Sequence, residues 1–212
     1  MMTGAAPAAG GATIAAPAED LCLAFANTRF WRGSDDPTDE LCGADDLLRW
    51  AEANAGLDPA TLRDVRDWCA SHPDGAARLF SAAIRLREAL YAIFAALASA
   101  QPVPEAEWRI VEAALRAGPP RAGLRLCRPG YAWALERAAP TTGTVLAAVL
   151  WSAADLLAGP RLARVRLCGN DRCRWVFLDD SKNGNRRWCD MSTCGNRAKA
   201  HRHYLRRRGA AV

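Results

Sequence analysis

Four cysteines near the carboxyl end, Cys168, Cys173, Cys189 and Cys194, fall in two pairs with four residues inside each pair and fifteen between the pairs. Thiolates in two short loops can close a tetrahedron around one Zn²⁺, and a shell filled by four protein ligands leaves no open position for water or substrate. The chemistry this spacing implies is structural rather than catalytic. A redox-active pair of the thioredoxin kind encloses two residues, not four. Disulfides are not expected in a chain whose amino terminus has no basic segment leading into an apolar export signal. His201 and His203 are alternative ligands by type, but four thiolates already complete the shell. Cys22, Cys42, Cys69 and Cys127 show no paired spacing, and most of them read as small core residues.

Ligands this far apart need elements to bring them together. Gly169 and Gly195 each follow a cysteine, where a positive φ would turn the backbone and aim amide hydrogens at sulfur. Between the pairs, Trp175-Val176-Phe177-Leu178 predicts a strand, Asn183-Gly184 a tight turn and Arg186-Arg187-Trp188 the returning strand of a β-hairpin. Ser192 is the expected N-cap of a helix from about Thr193 to Arg208, with Cys194 in its first turn. Knuckle, hairpin and ligand-bearing helix would make a treble-clef-like unit. A segment of roughly 45 residues is near the lower limit for a core of its own, so a zinc ion contributing on the order of 10 kcal/mol decides its folding.

Charge is distributed unevenly. Residues 161–212 hold 14 Lys/Arg against 4 Asp/Glu, a net of +10, whereas the rest of the chain holds 14 against 19, a net of −5. A compact cationic segment gains affinity for phosphates through counterion release. Helical phase places Cys194, Ala198, His201 and Leu205 on one face and Lys199, Arg202 and Arg206 on the next stripe. Arg207 and Arg208 extend that stripe, and Arg186 and Arg187 add to it from the second strand. Arg197 has two readings: a phosphate contact, or a guanidinium that offsets the net charge of about −2 left by four thiolates on Zn²⁺.

The same residues resemble a known family, the CGNR zinc fingers, through Cys194-Gly195-Asn196-Arg197. Beside the other three cysteines, the resemblance is carried by Phe177-Leu178-Asp179 with Ser181, by Arg187-Trp188-Cys189-Asp190-Met191 and by Lys199. It implies a DNA-binding module of bacterial regulators.

The remaining chain must present this unit. Half of the 212 residues are hydrophobic, enough for one medium domain with a sizeable core. No apolar run approaches the roughly 18 to 20 residues of a membrane span, and a cytoplasmic location is expected. Residues 1–18, rich in Ala, Gly and Pro, read as a disordered tail, residues 19–160 as a sensing or assembly domain, and residues 161–212 as the finger. Leu21 to Thr28 reads as a buried strand. Helices are expected from Asp45 or Asp46 to near Gly56, from Asp58-Pro59 to His72-Pro73, over Gly75 to Ala98, over Glu105 to Ala117, and from Val145 to Leu157 behind a cap at Thr141 or Thr142. A β-hairpin should join Leu124–Cys127 to Tyr131–Leu135.

This part resembles the ABATE domain, which often precedes a CGNR finger in stress-induced transcription regulators. The resemblance lies in Leu21-Cys22-Leu23-Ala24-Phe25-Ala26-Asn27-Thr28, then Trp31-Arg32-Gly33, then Asp45-Asp46-Leu47-Leu48-Arg49-Trp50. An acidic residue is frequent in that family where Ala24 stands here.

Asn27, Arg29 and Trp31 are candidates for a small-molecule pocket; alternatively, Asn27 and Thr28 satisfy turn hydrogen bonds and Trp31 fills the core. No phosphate-binding glycine loop, HExxH or GxSxG motif is present, so catalysis is not expected. The sequence therefore predicts an α+β protein, mainly helical with a small sheet, followed by a zinc finger. Its expected function is zinc-dependent DNA binding as a transcription regulator. The expected partners are DNA, a second copy of the chain bound through the amino-terminal domain, and a small-molecule effector. Other classes remain open: a protein- or RNA-binding adaptor, or a small-molecule-binding or enzymatic domain with the finger as accessory.

Overall fold

A computed structural model of the chain describes residues 12–18, 20–127, 130–135 and 139–200. In chain order the elements are β1 (Thr13–Ile14), α1 (Leu21–Ala26), β2 (Arg29–Phe30), β3 (Thr38–Asp39), α2 (Ala44–Asn54), α3 (Pro59–Ser71) and α4 (Pro73–Ala98). They continue with α5 (Glu105–Ala117), β4 (Leu124–Cys127), β5 (Gly130–Ala134), α6 (Thr142–Val145), α7 (Ala147–Ala158), β6 (Val165–Leu167) and β7 (Val176–Leu178). The protein is α+β, and among the described residues the helices are joined by three small antiparallel sheets in the orders β1-β5-β4, β2-β3 and β6-β7. None of the described helices is long and apolar enough to cross a membrane.

Helix α4, 26 residues long, is the axis, and α1, α2, α3 and α5 pack against it. Its buried residues Leu79, Ala83, Leu86, Leu90, Ile93 and Phe94 recur at helical spacing, and its start is set by Pro73 at the first turn. Asp58 caps α3 by accepting hydrogen bonds from the amides of Ala60 and Thr61. Helix α7 is buried on almost every side, as its near-continuous apolar sequence requires.

Three expectations about this region are corrected. Residues 21–26 form a helix, not a strand: a short run with no polar position to fix its period fits either, and here packing against α7 and α4 decides it. Ala24 is the one exposed residue of that helix. The end of the expected tail is ordered, because Ile14, 1 % exposed, inserts into the core while Thr13 and Ile14 pair with Ala134 and Trp133 of β5. The helix expected from Val145 is divided at Leu146, with α6 capped by the Thr141 hydroxyl and α7 following.

The hairpin that carries the metal site is also different from the expected one. Strand β7 pairs with β6, which precedes the first cysteine, in the register Val165↔Leu178, Arg166↔Phe177 and Leu167↔Val176. Residues 186–188 form no strand. The reason is burial on both faces of β7: Val176 and Leu178, with Val165 of β6, join the same core as α4, while Phe177 points the other way into a cluster with Cys168, Cys173 and Cys194. Residues 165–167 follow α7 through a short 3-10 turn, Pro160–Arg164, and bury Val165 on the core side, whereas the 186–188 segment lies on the Phe177 side, where Arg186 covers that ring. The finger's first strands are thereby built into the helical core.

Candidate metal centre

Strand β6 runs straight into Cys168, whose amide continues the ladder by donating to Trp175 O at 2.7 Å. The loop between them is closed by the amides of Cys173 and Arg174, which donate to Asn170 O at 2.8 and 3.1 Å. This knuckle turns at Arg174, φ 54°, not at Gly169 as expected. Gly169 serves close approach instead, since a Cβ there would lie 3.2 Å from Arg187 O, and its own amide donates to that oxygen at 2.8 Å. Gly195 likewise has no positive φ; a Cβ there would come 2.8 Å from the Met191 sulfur.

The second pair sits on a different support. The carboxylate of Asp190, two residues ahead of the expected cap at Ser192, accepts from Thr193 N at 2.8 Å and from the hydroxyls of Ser192 and Thr193 at 2.5 and 3.0 Å. Met191–Gly195 then form a π-helical turn and residues 196–200 continue as α-helix. The wide turn displaces Cys194 inward, where it is 2 % exposed.

All four sulfurs lie within 4.8 Å of one another, with Cys173 to Cys189 at 3.7 Å and Cys189 to Cys194 at 3.8 Å. Four thiolates at about 2.3 Å from one Zn²⁺ would stand about 3.8 Å apart along each tetrahedral edge, so the spacing fits a single ion, while a disulfide needs about 2.05 Å. Cys168, Cys173 and Cys194 are buried, and Asn170 donates its amide hydrogen to the Cys194 sulfur at 3.4 Å. Hydrogen bonds from the Cys173 and Cys189 thiols hold Cys168 far below the usual thiol range, and those contacts with Cys168 push Cys173 and Cys189 up. Sulfurs this crowded cannot all ionise without a cation between them, which is the charge state Zn²⁺ supplies. The site holds one structural zinc ion.

A residue whose role the sequence did not expose organises the link between the pairs. Asp179 is fully buried and accepts from Ser181 N and Oγ at 3.0 and 2.5 Å and from Arg186 N at 2.8 Å; the Ser181 hydroxyl is the leading cause of its lowered pKa. Only the family resemblance had singled it out, because one acid in a polar turn reads as solvated.

The helical part grips the knuckle. Asn27 Nδ2 donates to Val176 O at 2.7 Å while Val176 N donates to Asn27 Oδ1 at 3.2 Å, a reciprocal pair across 149 residues. Gly33 N donates to Arg172 O, and a Cβ on Gly33 would fall 1.8 Å from Asp171 O, so backbone lies on backbone there. Tyr91 of α4 donates its hydroxyl to Arg174 O at 2.9 Å and carries Arg32 on its ring face at 3.8 Å. Arg32 in turn pairs with Glu88 at 2.6 Å, and the buried Arg87 holds Asp39 through both terminal nitrogens at 2.6 and 2.7 Å.

The expected pocket residues separate. Asn27 is consumed by the joint with β7, and Arg29 lies on the surface 4.0 Å from Glu88. Trp31, in the left-handed region at φ 55°, lines a cavity of about 600 Å³ with Phe30, Trp175, the ligand-bearing turn and Arg197.

The candidate cations also divide. Arg186 is half-buried, donates Nε to Trp188 O at 2.9 Å and Nη2 to Cys189 O, and covers Phe177. Arg187 is exposed over the Trp188 ring, Arg197 is exposed over the Trp31 ring at 4.5 Å, and Lys199 is exposed. Arg172 and Arg174 of the knuckle are exposed as well, and helical phase gave no signal for them. Arg202, Arg206 and Arg207 lie outside the described residues.

A helical domain whose core takes in the base of a four-cysteine zinc finger is the class of protein that the fold and site define. Residues 19–160 match the ABATE family, described as "Putative stress-induced transcription regulator", and residues 164–207 match the CGNR zinc finger. The chain belongs to the ABATE family and carries a CGNR zinc finger after the ABATE domain. No curated protein matches it.

Proposed function

We propose that this protein is a transcription regulator that binds duplex DNA through its zinc finger. The observation that carries the reading is the segregation of charge: a net of +10 in residues 161–212 against −5 elsewhere, on a unit whose geometry a structural metal fixes. The family description supports the regulatory part. In this reading Lys199, Arg187 and Arg197, with Arg172 and Arg174 of the knuckle, contact phosphates, and Arg202, Arg206 and Arg207 continue that contact. Arg186 holds the carbonyls of Trp188 and Cys189 and supports the surface from beneath. Zinc supplies rigidity and no reaction step.

The test is a salt titration of the zinc-loaded protein on fluorescent random duplex DNA, beside single-stranded DNA and duplex RNA. Binding to duplex DNA should weaken steeply and linearly in log salt, and Lys199→Ala should lower the slope by about one. Salt-indifferent binding, or preference for RNA, would reject the reading.

One finger covers little DNA, so the proposal includes a second copy of the chain. Leu124 and Leu126 on edge strand β4, 60 % and 70 % exposed, and Tyr131 on β5, 70 % exposed, are the apolar surface on which it places that copy. Leu126→Lys should then turn a sedimenting dimer into a monomer; a wild-type chain that is monomeric at the concentrations of DNA binding removes this part.

A further inference from the structure

The cavity of about 600 Å³ beside the metal centre has the size of a small-molecule site and two kinds of wall. Phe30, Trp31 and Trp175 supply aromatic faces from the helical part and the knuckle, with Phe30 and Trp175 at 5.4 Å. The second wall is Cys173 of the knuckle with Cys189, Asp190, Ser192, Thr193 and Cys194 of the ligand-bearing turn, and Trp31 and Trp175 pack against that cysteine cluster. The polar groups of that second wall are biased towards acceptors. Asp190 brings a carboxylate to the cavity. Both hydroxyl hydrogens of Ser192 and Thr193 are spent on Asp190 Oδ1, which leaves their oxygens to accept. Thiolates that share one Zn²⁺ add a net charge of about −2 on the same side. Aromatic faces beside negative charge are the chemistry that selects a cation.

Two features of the backbone point to the same place. Trp31 is a bulky residue held at φ 55°, a conformation that costs energy unless its surroundings require it, and the turn facing it is π-helical. The molecule also shows which charge the cavity accepts, since the exposed guanidinium of Arg197 lies on the Trp31 face, 4.5 Å from the ring centre.

We propose that this cavity is a binding site for a small organic cation with a methylated or flat aromatic ammonium head. The cation stacks against Trp31 and Trp175, its charge faces Asp190 and the thiolate cluster, and it takes the ring face that Arg197 covers. Arg197 is then the residue the ligand displaces, and the site is closed by the protein's own cation when the ligand is absent. The inference does not depend on DNA binding, and its test contains no nucleic acid.

The test is calorimetric titration of the zinc-loaded full chain with N-methylquinolinium and tetramethylammonium, with quinoline as the neutral analogue of the first. The methylated cation should bind at least about tenfold more tightly than quinoline at neutral pH, the margin that a desolvated cation over an indole provides. Arg197→Gln, which removes the competing cation, should tighten binding several-fold. Asp190→Asn, which keeps an oxygen to cap the turn, should weaken it by a similar factor, and Trp31→Leu should abolish it. Zinc content and helical circular dichroism of each variant separate loss of the site from loss of the fold. Equal binding of quinoline and its methylated form, no heat with either cation, or weaker binding by the Arg197 variant would overturn the assignment.

Discussion

At single residues, the demands of the joint between finger and helices are set by what cannot be moved. Gly33 has no room for a side chain, because both the atom it would strike, Asp171 O, and its own support are main chain. Gly33→Ala should therefore cost about 2 to 3 kcal/mol, the upper range for overpacking, seen as a lower denaturant midpoint together with weaker zinc retention. A variant as stable as the wild type would show that the loop yields freely. Arg87 is the other fixed point: it is 1 % exposed, yet its partners Asp39 and Glu88 keep side-chain exposures of 34 % and 36 %. Arg87→Met should cost about 2 to 3 kcal/mol, less than the 3–5 of a fully enclosed pair, since those carboxylates can still meet water. Burial pushes Asp39 and Glu88 up, but hydrogen bonds from Arg87 to the first and Arg32 to the second outweigh it, so both are held below their ordinary values of 3.8 and 4.5. A carboxylate depressed in the folded state contributes stability above its unfolded pKa and loses it as pH falls through the folded one. Stability should thus decline below about pH 4, and less steeply in the Arg87 variant; parallel pH profiles would exclude the pair as the cause.

At the scale of elements, the hydrogen bonds of Asn27 to both main-chain groups of Val176 tie the end of α1 to β7. Asn27→Leu keeps the volume and leaves a buried N–H and C=O unpaired, which should cost about 2 to 4 kcal/mol and speed amide exchange at Val176 before it affects α4. Uniformly accelerated exchange would mean that the joint has no local identity. This bond pair marks the limit of what was legible in the sequence. Helices α3, α4 and α5 were readable because Asp58-Pro59, Pro73 and a sustained apolar period are local signals. The cysteine set was readable because ligand spacing is itself a local pattern. Residues 21–26 were misread because an unbroken apolar run has no period, and the hairpin partner of β7 was misread because both flanking segments were adequate strands. Only tertiary burial, of Val176 and Leu178 in the core and of Phe177 in the cysteine cluster, chose between them. Asn27 was placed among pocket candidates for the same reason: its partner is 149 residues away.

For the molecule as a whole, the decisive consequence is how far the metal's influence reaches. A finger folding on its own would lose everything with its zinc, but here the labour is divided between two clusters. Val165, Val176 and Leu178 belong to the core built on α4, so β6 and β7 keep their burial without the ion. Residues around Cys189 and Cys194 have no such anchor; they are held by the sulfur cluster, by Gly169 against Arg187, and by Asp179 against Ser181 and Arg186. Metal removal should then release the chain after Asp179 and leave the helices in place. Treatment with a chelator should lower the helical circular dichroism only slightly and shift tryptophan emission to the red, as Trp31, Trp175 and Trp188 lose their packing around the cysteines. It should also open tryptic sites at Arg186, Arg187 and Arg197 while α4, with its buried Arg87, stays protected. Binding to duplex DNA should fall with the same chelator dependence, because the cations at Arg187, Arg197 and Lys199 would no longer share one rigid surface. Cooperative loss of all helical structure would place the ion at the centre of a single folding unit. Unchanged proteolysis after verified metal loss would show instead that protein contacts alone hold the second cysteine pair.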